Sequence, residues 1–331
     1  MRFSLAAIYR ALRVRPGLVF VLHVGLLPPA VLAARLTGAQ VAVMAHGIEV
    51  WGLLGPVTRV LIARCDYRVA NSTFTAEWFA HRAGIEPATV TVVPIPVDAR
   101  FEGAAQQCRG CPATPRRVLT VSRLSSENRY KGVLTVAAAM PTVLAACPDT
   151  RWVVVGDGDD LAEVRAACVQ FGIGGSVDLL GWIDDERLVE EYAAAHVFTL
   201  PSVADPDSSP PTGEGFGLVY AEAACFGVPS IAAIRGGGSL DLIEHGITGL
   251  AVPGNDPRAV AGAVVRVLED NELRNRLGAA ARQRVIERHT VAGYHASLMD
   301  ALTPDELGAS GRLRWWRRPG RRSRQRKVGQ P

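Results

Sequence analysis

Lysine is almost missing from this sequence. Among 331 residues only Lys131 and Lys327 carry an ε-ammonium, against 34 arginines. With abundant alanine, that skew implies a GC-rich bacterial genome. It also singles out Lys131, the one lysine in the body of the chain. Acidic residues are missing at the far end, where nine basic residues and no Asp or Glu follow from Arg312 onward. Without that segment the formal charge falls from +4 to −5. The body is therefore acidic, which argues against a nucleic-acid partner.

Long uninterrupted apolar runs are also missing. Residues 17–34 come nearest, after Arg2, Arg10, Arg13 and Arg15, but His23 and Pro28-Pro29 interrupt them. That pattern reads as strand, turn and helix rather than a membrane span or signal. Paired cysteines are scarce. Cys65, Cys147, Cys168 and Cys225 lie in apolar or helical contexts and read as small buried hydrophobes. Cys108-Arg-Gly-Cys111 is a lone C-x-x-C, too little for a zinc site. This usage fits a reducing cytoplasm. What the chain does have is apolar content, 48% against 21% charged, enough for substantial cores in two domains.

Short apolar runs alternate with helical patterns. Strands are expected over 18–22, 40–44, 67–70 and 90–93, and helices over 2–14, 29–37, 57–65 and 73–83. Residues 98–115 carry no period and read as a linker. The rhythm then restarts, with strands over 117–121, 152–156, 177–180, 197–200, 229–233 and 249–252 and helices between and after them. Such alternation means parallel sheets with helices on both faces. The economical architecture is α/β, two doubly wound domains in tandem facing a cleft.

The segment Gly213-Glu214-Gly215-Phe216-Gly217-Leu218-Val219-Tyr220-Ala221-Glu222 follows a strand and opens a helix. Its glycines let backbone approach a ligand closely. The free N–H groups at the helix start suit a diphosphate. Glu214 and Glu222 are placed to meet different parts of one extended ligand, and carboxylates accept well from vicinal diols. The same two residues would otherwise be a helix cap and a solvated helical face. Arg123 after one strand and Lys131 before the next helix suit a pyrophosphate leaving group, or are two surface charges. Arg235-Gly-Gly-Gly238-Ser239 offers backbone donors for an anion. Asp157-Gly-Asp159-Asp160 looks like a metal-binding D-x-D but sits in a short turn before a helix, and no metal is expected.

Glu214 to Glu222 resembles the E-x7-E motif of glycosyltransferase family 4. Gly227-Val-Pro-Ser230, Gly237-Gly238 and Glu244-His-Gly-Ile-Thr-Gly-Leu250 match that family's following segments. Upstream, Arg123 with Lys131-Gly132, Gly156-Asp-Gly158, Ala45-His-Gly-Ile-Glu-Val-Trp51 and Val69-Ala-Asn-Ser72 match too, so the resemblance spans roughly residues 16–300. It implies the GT-B fold, two Rossmann-like domains, and sugar transfer with retention from a nucleotide-sugar donor of the GDP-mannose or UDP-glucose type. It implies that Glu214 contacts the donor sugar beside Gly215 and the amides of Phe216 and Gly217. The amides of Leu218 and Val219 would meet the phosphates, and Glu222 the ribose. Arg123 and Lys131 would neutralise the departing diphosphate in place of a metal ion, so no cofactor is expected. Gly181, Trp182 and Ile183 would approach the base. His46 would lie over the sugar as the main catalytic candidate of the first domain, although a histidine at an apolar strand end is more often structural.

In these terms residues 1–106 form an acceptor-side domain and 107–289 the donor-binding domain. Residues 290–303 resemble the family's closing helix, which packs back on the first domain, and 304–331 are a basic disordered tail. The family pattern begins with a strand and a glycine-rich loop that precede the region matching Arg15-Pro16. The first domain is therefore expected to be incomplete, through an upstream start or a truncated gene. The competing readings are a truncated, non-catalytic nucleotide-sugar-binding protein and an epimerase on the same fold, which the Glu214, Glu222, Arg123 and Lys131 placement disfavours. The acceptor is expected to be lipid-linked, a glycan or a small molecule. Location is expected to be cytoplasmic or peripheral at the inner face of the membrane, with Trp315-Trp316 and the basic tail resting on anionic lipid or merely solubilising the chain.

Overall fold

Glycine and proline set the limits of the first elements. The computed structural model describes residues 2–107 and 115–303, so the Cys108–Cys111 pair and the basic tail lie outside the described residues. Helix α1 (Arg2–Val14) leads to strand β1 (Leu18–Val21). Helix α2 (Leu27–Thr37) starts at prolines, where a missing N–H costs nothing, and stops at Gly38 in a left-handed conformation. Strand β2 (Gln40–Ala45), helices α3 (Ile48–Trp51) and α4 (Pro56–Ala63), strand β3 (Tyr67–Ala70), helix α5 (Thr73–Ala83) and strand β4 (Thr91–Val92) follow. Ser72 caps α5, its hydroxyl accepting from the Thr75 amide at 3.1 Å. The four strands pair in parallel in the order β1-β2-β3-β4.

The expected linker is partly a helix. α6 (Ala99–Gln107) places Phe101 and Ala105, one helical turn apart, in the core of the second half. Phe101 meets the Tyr192 ring edge-on at 5.8 Å between centroids. The two apolar residues are too few, among Glu, Gly and Gln, to give a visible period. The second half continues through β5 (Arg116–Val121), α7 (Val133–Ala146), β6 (Thr150–Val155), α8 (Leu161–Gln170), β7 (Val177–Gly181), α9 (Asp185–Ala194) and β8 (Val197–Thr199). It ends with α10 (Leu218–Cys225), β9 (Ser230–Ala233), β10 (Gly249–Val252), α11 (Pro257–Glu269), α12 (Asn271–Arg288) and α13 (Val291–Leu302). Its six strands are ordered β10-β9-β8-β5-β6-β7, with every pairing parallel. The central parts of the strands, such as Val118-Leu119 and Val153-Val154-Val155, are buried and apolar, as parallel strands covered by helices must be.

Helix α13 crosses back. Tyr294, Leu298, Ala301 and Leu302 pack on Met44, Val69 and Val93 of the first sheet. Because all strands in each sheet run the same way, the loops after β2, β3, β5, β7, β8 and β9 lie at strand carboxyl ends, where open α/β sheets bind ligands. No described helix is long and apolar enough to cross a membrane.

One such loop depends on a missing side chain. Gly156, after β6, has φ +135°, and a Cβ there would lie 1.8 Å from the Ser122 carbonyl oxygen. Gly156→Ala should lose at least about 1–3 kcal/mol from backbone strain alone, before any clash. Urea denaturation checks this, and an unchanged midpoint would show that the turn can open.

Candidate active site between the two sheets

Glu214 lies in the loop between β8 and α10, and its backbone is held first. Its carbonyl accepts from the Gly238 amide at 2.8 Å, which ties the loop to the glycine run after β9. Its carboxylate is nearly buried, 8% exposed as a residue, and is paired there. Oε1 accepts from Lys131 Nζ at 2.9 Å and from Ser202 Oγ at 3.2 Å. Lys131 reaches that point because Gly132 turns the chain in a left-handed conformation so close to Pro201 that a Cβ would lie 2.9 Å from its carbonyl oxygen. A buried carboxylate needs such partners. Arg123, by contrast, is exposed and has no hydrogen-bond or ion-pair partner among the described residues. It flanks Tyr130 together with Glu214. Burial and the Glu214 charge push the Tyr130 hydroxyl up to about 12, while Arg123 pulls it the other way.

Helix α10 begins directly after this loop. Gly217, at φ +86°, is its cap, with no side chain to satisfy the first amides, so those of Leu218 and Val219 remain available. One turn further, half-buried Glu222 accepts from the fully buried Tyr192 hydroxyl at 2.7 Å through Oε2. Burial raises the Glu222 carboxyl above the usual range, against the lowering effect of the Tyr192 bond. Glu222 and Leu218 line a cleft of ≈ 600 Å³ with Asp98, Arg100, Asp185 and Leu188. The two carboxylates of the loop and helix therefore sit in different surroundings, one ion-paired and one hydrogen-bonded to a phenol.

The first half meets this loop through backbone. A Cβ on Gly215 would lie 2.1 Å from the His46 carbonyl oxygen, and one on Gly47 would lie 3.3 Å from Gly215 Cα. His46 thus ends β2 directly against the Glu214 loop. Its amide donates to Glu49 Oε1, its carbonyl accepts from Asn71 Nδ2 at 2.8 Å, and its imidazole has no partner among the described residues. Phe216 is buried and packs on the His289 ring, 5.3 Å between centroids.

Gly181 ends β7, and Trp182 and Ile183 follow it. The Gly181 carbonyl accepts from the Gly156 amide after β6 at 2.8 Å, Ile183 packs into the core, and the Trp182 indole is 78% exposed. None of the three lines the cleft; Asp185, from the start of α9, does. Asp185, in the acidic pair Asp184-Asp185 after a strand, is not among the site residues expected from the sequence. The D-x-D look-alike serves the fold. Asp159 accepts from the Ser126 amide at 3.0 Å and hydroxyl at 2.7 Å, and Asp160 pairs with Arg129. Among the described residues no group of three metal-ligating side chains comes together.

Tandem parallel sheets that meet at their strand carboxyl ends, with paired carboxylates beside an open helix start and two cations, match what moving a sugar off a nucleoside diphosphate demands. This is the build of a GT-B glycosyltransferase. Residues 106–284 match the family described as Glycosyl transferases group 1, and residues 1–101 match Glycosyltransferase Family 4. The chain belongs to the glycosyl transferases group 1 family and is a glycosyltransferase. It is 32% identical over 291 residues to a GDP-mannose-dependent alpha-(1-6)-phosphatidylinositol monomannoside mannosyltransferase of Mycobacterium tuberculosis, covering 84% of this chain and 74% of that protein. It is 29% identical over 238 residues to a phosphatidyl-myo-inositol mannosyltransferase of Mycolicibacterium smegmatis, covering 71% of this chain and 55% of the relative. Among solved structures, HepE of Anabaena in complex with UDP shares the fold at a TM-score of 0.75 and 19% identity, covering 90% of this chain and 81% of that one. Sucrose-phosphate synthase of Thermosynechococcus elongatus gives 0.71 and 25%, covering 90% and 76%.

The Glu222 environment makes a signed prediction. A folded-state pKa above the unfolded value means that stability is greatest below the unfolded value and falls as pH rises through the folded one. Glu222→Gln should therefore melt higher than the parent protein at neutral pH without ligand. The difference should vanish below 4.5, the ordinary glutamate value. Thermal unfolding at both pH values tests it, and a lower melting point at neutral pH would refute a net burial cost.

Proposed function

We propose that the protein transfers mannose from GDP-mannose, with retention at the anomeric carbon, to a lipid-linked acceptor of the phosphatidylinositol-mannoside class. The observation that carries this is the Lys131–Glu214–Ser202 cluster set beside the open start of α10. The named activities of the mannosyltransferase relatives support the donor and acceptor class.

Lys131 uses one of its three N–H donors on Glu214, which leaves two for a diphosphate oxygen. Unpartnered Arg123 and the α10 amides complete an anion site, so leaving-group charge is stabilised by fixed donors without a metal ion. The second Glu214 oxygen accepts from sugar hydroxyls, and Glu222 accepts from the ribose diol. Asp185, facing the same cleft, supports guanine over uracil. A carboxylate can accept from both N1–H and N2–H of guanine, whereas uracil presents one N–H on that edge. Its present ion pair with Arg100 would have to open. Among the described residues no carboxylate is placed as a nucleophile, which favours attack by the acceptor on the face the diphosphate leaves. His46 approaches the sugar from the first half. The basic residues 312–331, outside the described residues, are proposed to hold the protein at anionic lipid.

Thermal unfolding with GDP, GDP-mannose, UDP and UDP-glucose tests the donor. A ligand at about 100 times its Kd adds roughly 2.7 kcal/mol. The guanine nucleotides should stabilise the protein, Glu222→Ala should abolish the shift, and Asp185→Asn should narrow the preference over UDP. His46→Ala should keep the shift while slowing transfer. A shift with UDP alone would overturn the mannose assignment, and none with any nucleotide would overturn the donor site.

A further inference from the structure

Two backbone carbonyls lie where the halves touch. The His46 carbonyl ends β2, and the Gly215 carbonyl belongs to the loop that carries Glu214. Their backbones are packed so closely that no side chain fits at residue 215. Both oxygens are acceptors, so neither can satisfy the other, and a buried carbonyl left alone is costly. The first half supplies both donors from adjacent residues. Asn71 Nδ2 donates to His46 O at 2.8 Å, and Ser72 Oγ donates to Gly215 O at 2.6 Å, with Thr75 Oγ1 behind it at 3.4 Å. Asn71, Ser72 and Thr75 are all buried, at 2%, 0% and 0% exposure. The contact continues one residue on, where the Thr73 amide at the start of α5 donates to Asp241 Oδ2 at 2.7 Å. Gly238 completes the fit, since a Cβ there would lie 2.1 Å from Gly215 O and 2.7 Å from Ser72 Oγ.

We propose that Asn71 and Ser72 are positioning residues that set the register between the His46 strand end and the Glu214 loop. They act through main-chain carbonyls and touch no substrate. Asn71 holds the first-half carbonyl, and Ser72 reaches across to the second-half one. Glu214 is one residue from Gly215, so a slip at this contact moves the sugar-contacting carboxylate relative to His46. The side chains assigned to the nucleotide, Arg123, Lys131 and Glu222, all belong to the second half, and of these only Lys131 touches the loop among the described residues, through Glu214. The role in transfer rests on the reading of residues 213–219 as the donor loop; the contact itself does not.

The test uses the full chain and begins without ligand. Amide hydrogen exchange is followed by mass spectrometry over residues 46–51, 213–219 and, as control, α5. Asn71→Ala should speed exchange over 46–51 and 213–219 about tenfold, the scale of one lost buried hydrogen bond, and leave α5 unchanged. Ser72→Ala should speed 213–219 and also α5, because it removes the helix cap as well. Ser72→Thr, which keeps both the donor and the cap, should restore both. Parent-like exchange over 213–219 in both alanine variants overturns the contact. With GDP-mannose, Asn71→Ala should keep the GDP Kd within about threefold and lower kcat about tenfold or more. Unchanged kcat, or a loss seen only in GDP affinity, overturns the positioning role. If the parent protein binds no GDP, the donor reading fails, while the exchange result still decides the contact.

Discussion

The backbone contact between His46 and Gly215 constrains everything around it. A strand end of one sheet and a loop of the other lie at van der Waals distance, main chain to main chain. That approach needs glycine at 215 and supports glycine at 47 and 238, because a side chain at any of these would wedge the halves apart. It also needs donors for the two carbonyls beside it, which explains polar, buried Asn71 and Ser72 directly after β3. Ser72 serves twice, accepting from Thr75 to start α5 and donating to Gly215. The helix cap and the contact between halves are thus one hydroxyl.

Glu214 inherits its position from this contact and its ion pair from Lys131. An arginine would present a planar fork suited to bidentate pairing with one carboxylate. Lysine's compact ammonium can share its N–H groups among Glu214 and a second anion in three directions. In a chain with 34 arginines and two lysines, the placement of Lys131 here has a chemical reason. The pair also prepares the site, since the carboxylate is already desolvated and oriented before any sugar arrives. Glu222 is handled differently. Its partner is the neutral Tyr192 phenol, so burial raises its pKa and leaves a carboxylate short of donors, the state that suits the ribose diol proposed for it.

The sequence made the regular elements and the loop-to-helix segment from Glu214 to Glu222 legible, because both are local. Apolar runs of four to six residues, glycine stops and serine or aspartate caps mark strands and helices within a few positions. The Glu214–Glu222 spacing is contained in one loop and one helix. What escaped is set at long range. α6 has two core residues in nine and becomes helical by packing on Tyr192. Ser72 and Gly215 are separated by 143 positions, and nothing near either announces the other. Gly181, Trp182 and Ile183 are matched to the base by resemblance alone; in the structure Ile183 packs on the core and Trp182 is exposed, and the cleft beside Glu222 is lined by Asp185 from the start of α9.

The same contact reaches the place where the chain passes between halves. It does so twice, near residues 93–98 and again near 289–291, and the two passages are bonded to each other by the Val97 amide donating to the His289 carbonyl at 2.8 Å. Burial holds the His289 imidazole down to about 4, so it is neutral at physiological pH and packs as an aromatic surface against Phe216. Phe216 follows Gly215. A rotation of one half against the other must therefore disturb the crossover, the Phe216 ring and the Gly215 carbonyl together, because close-packed groups cannot yield one at a time. Relative placement of the halves and placement of the Glu214 loop are then one mechanical variable. Any ligand that grips both sides of the loop changes both at once.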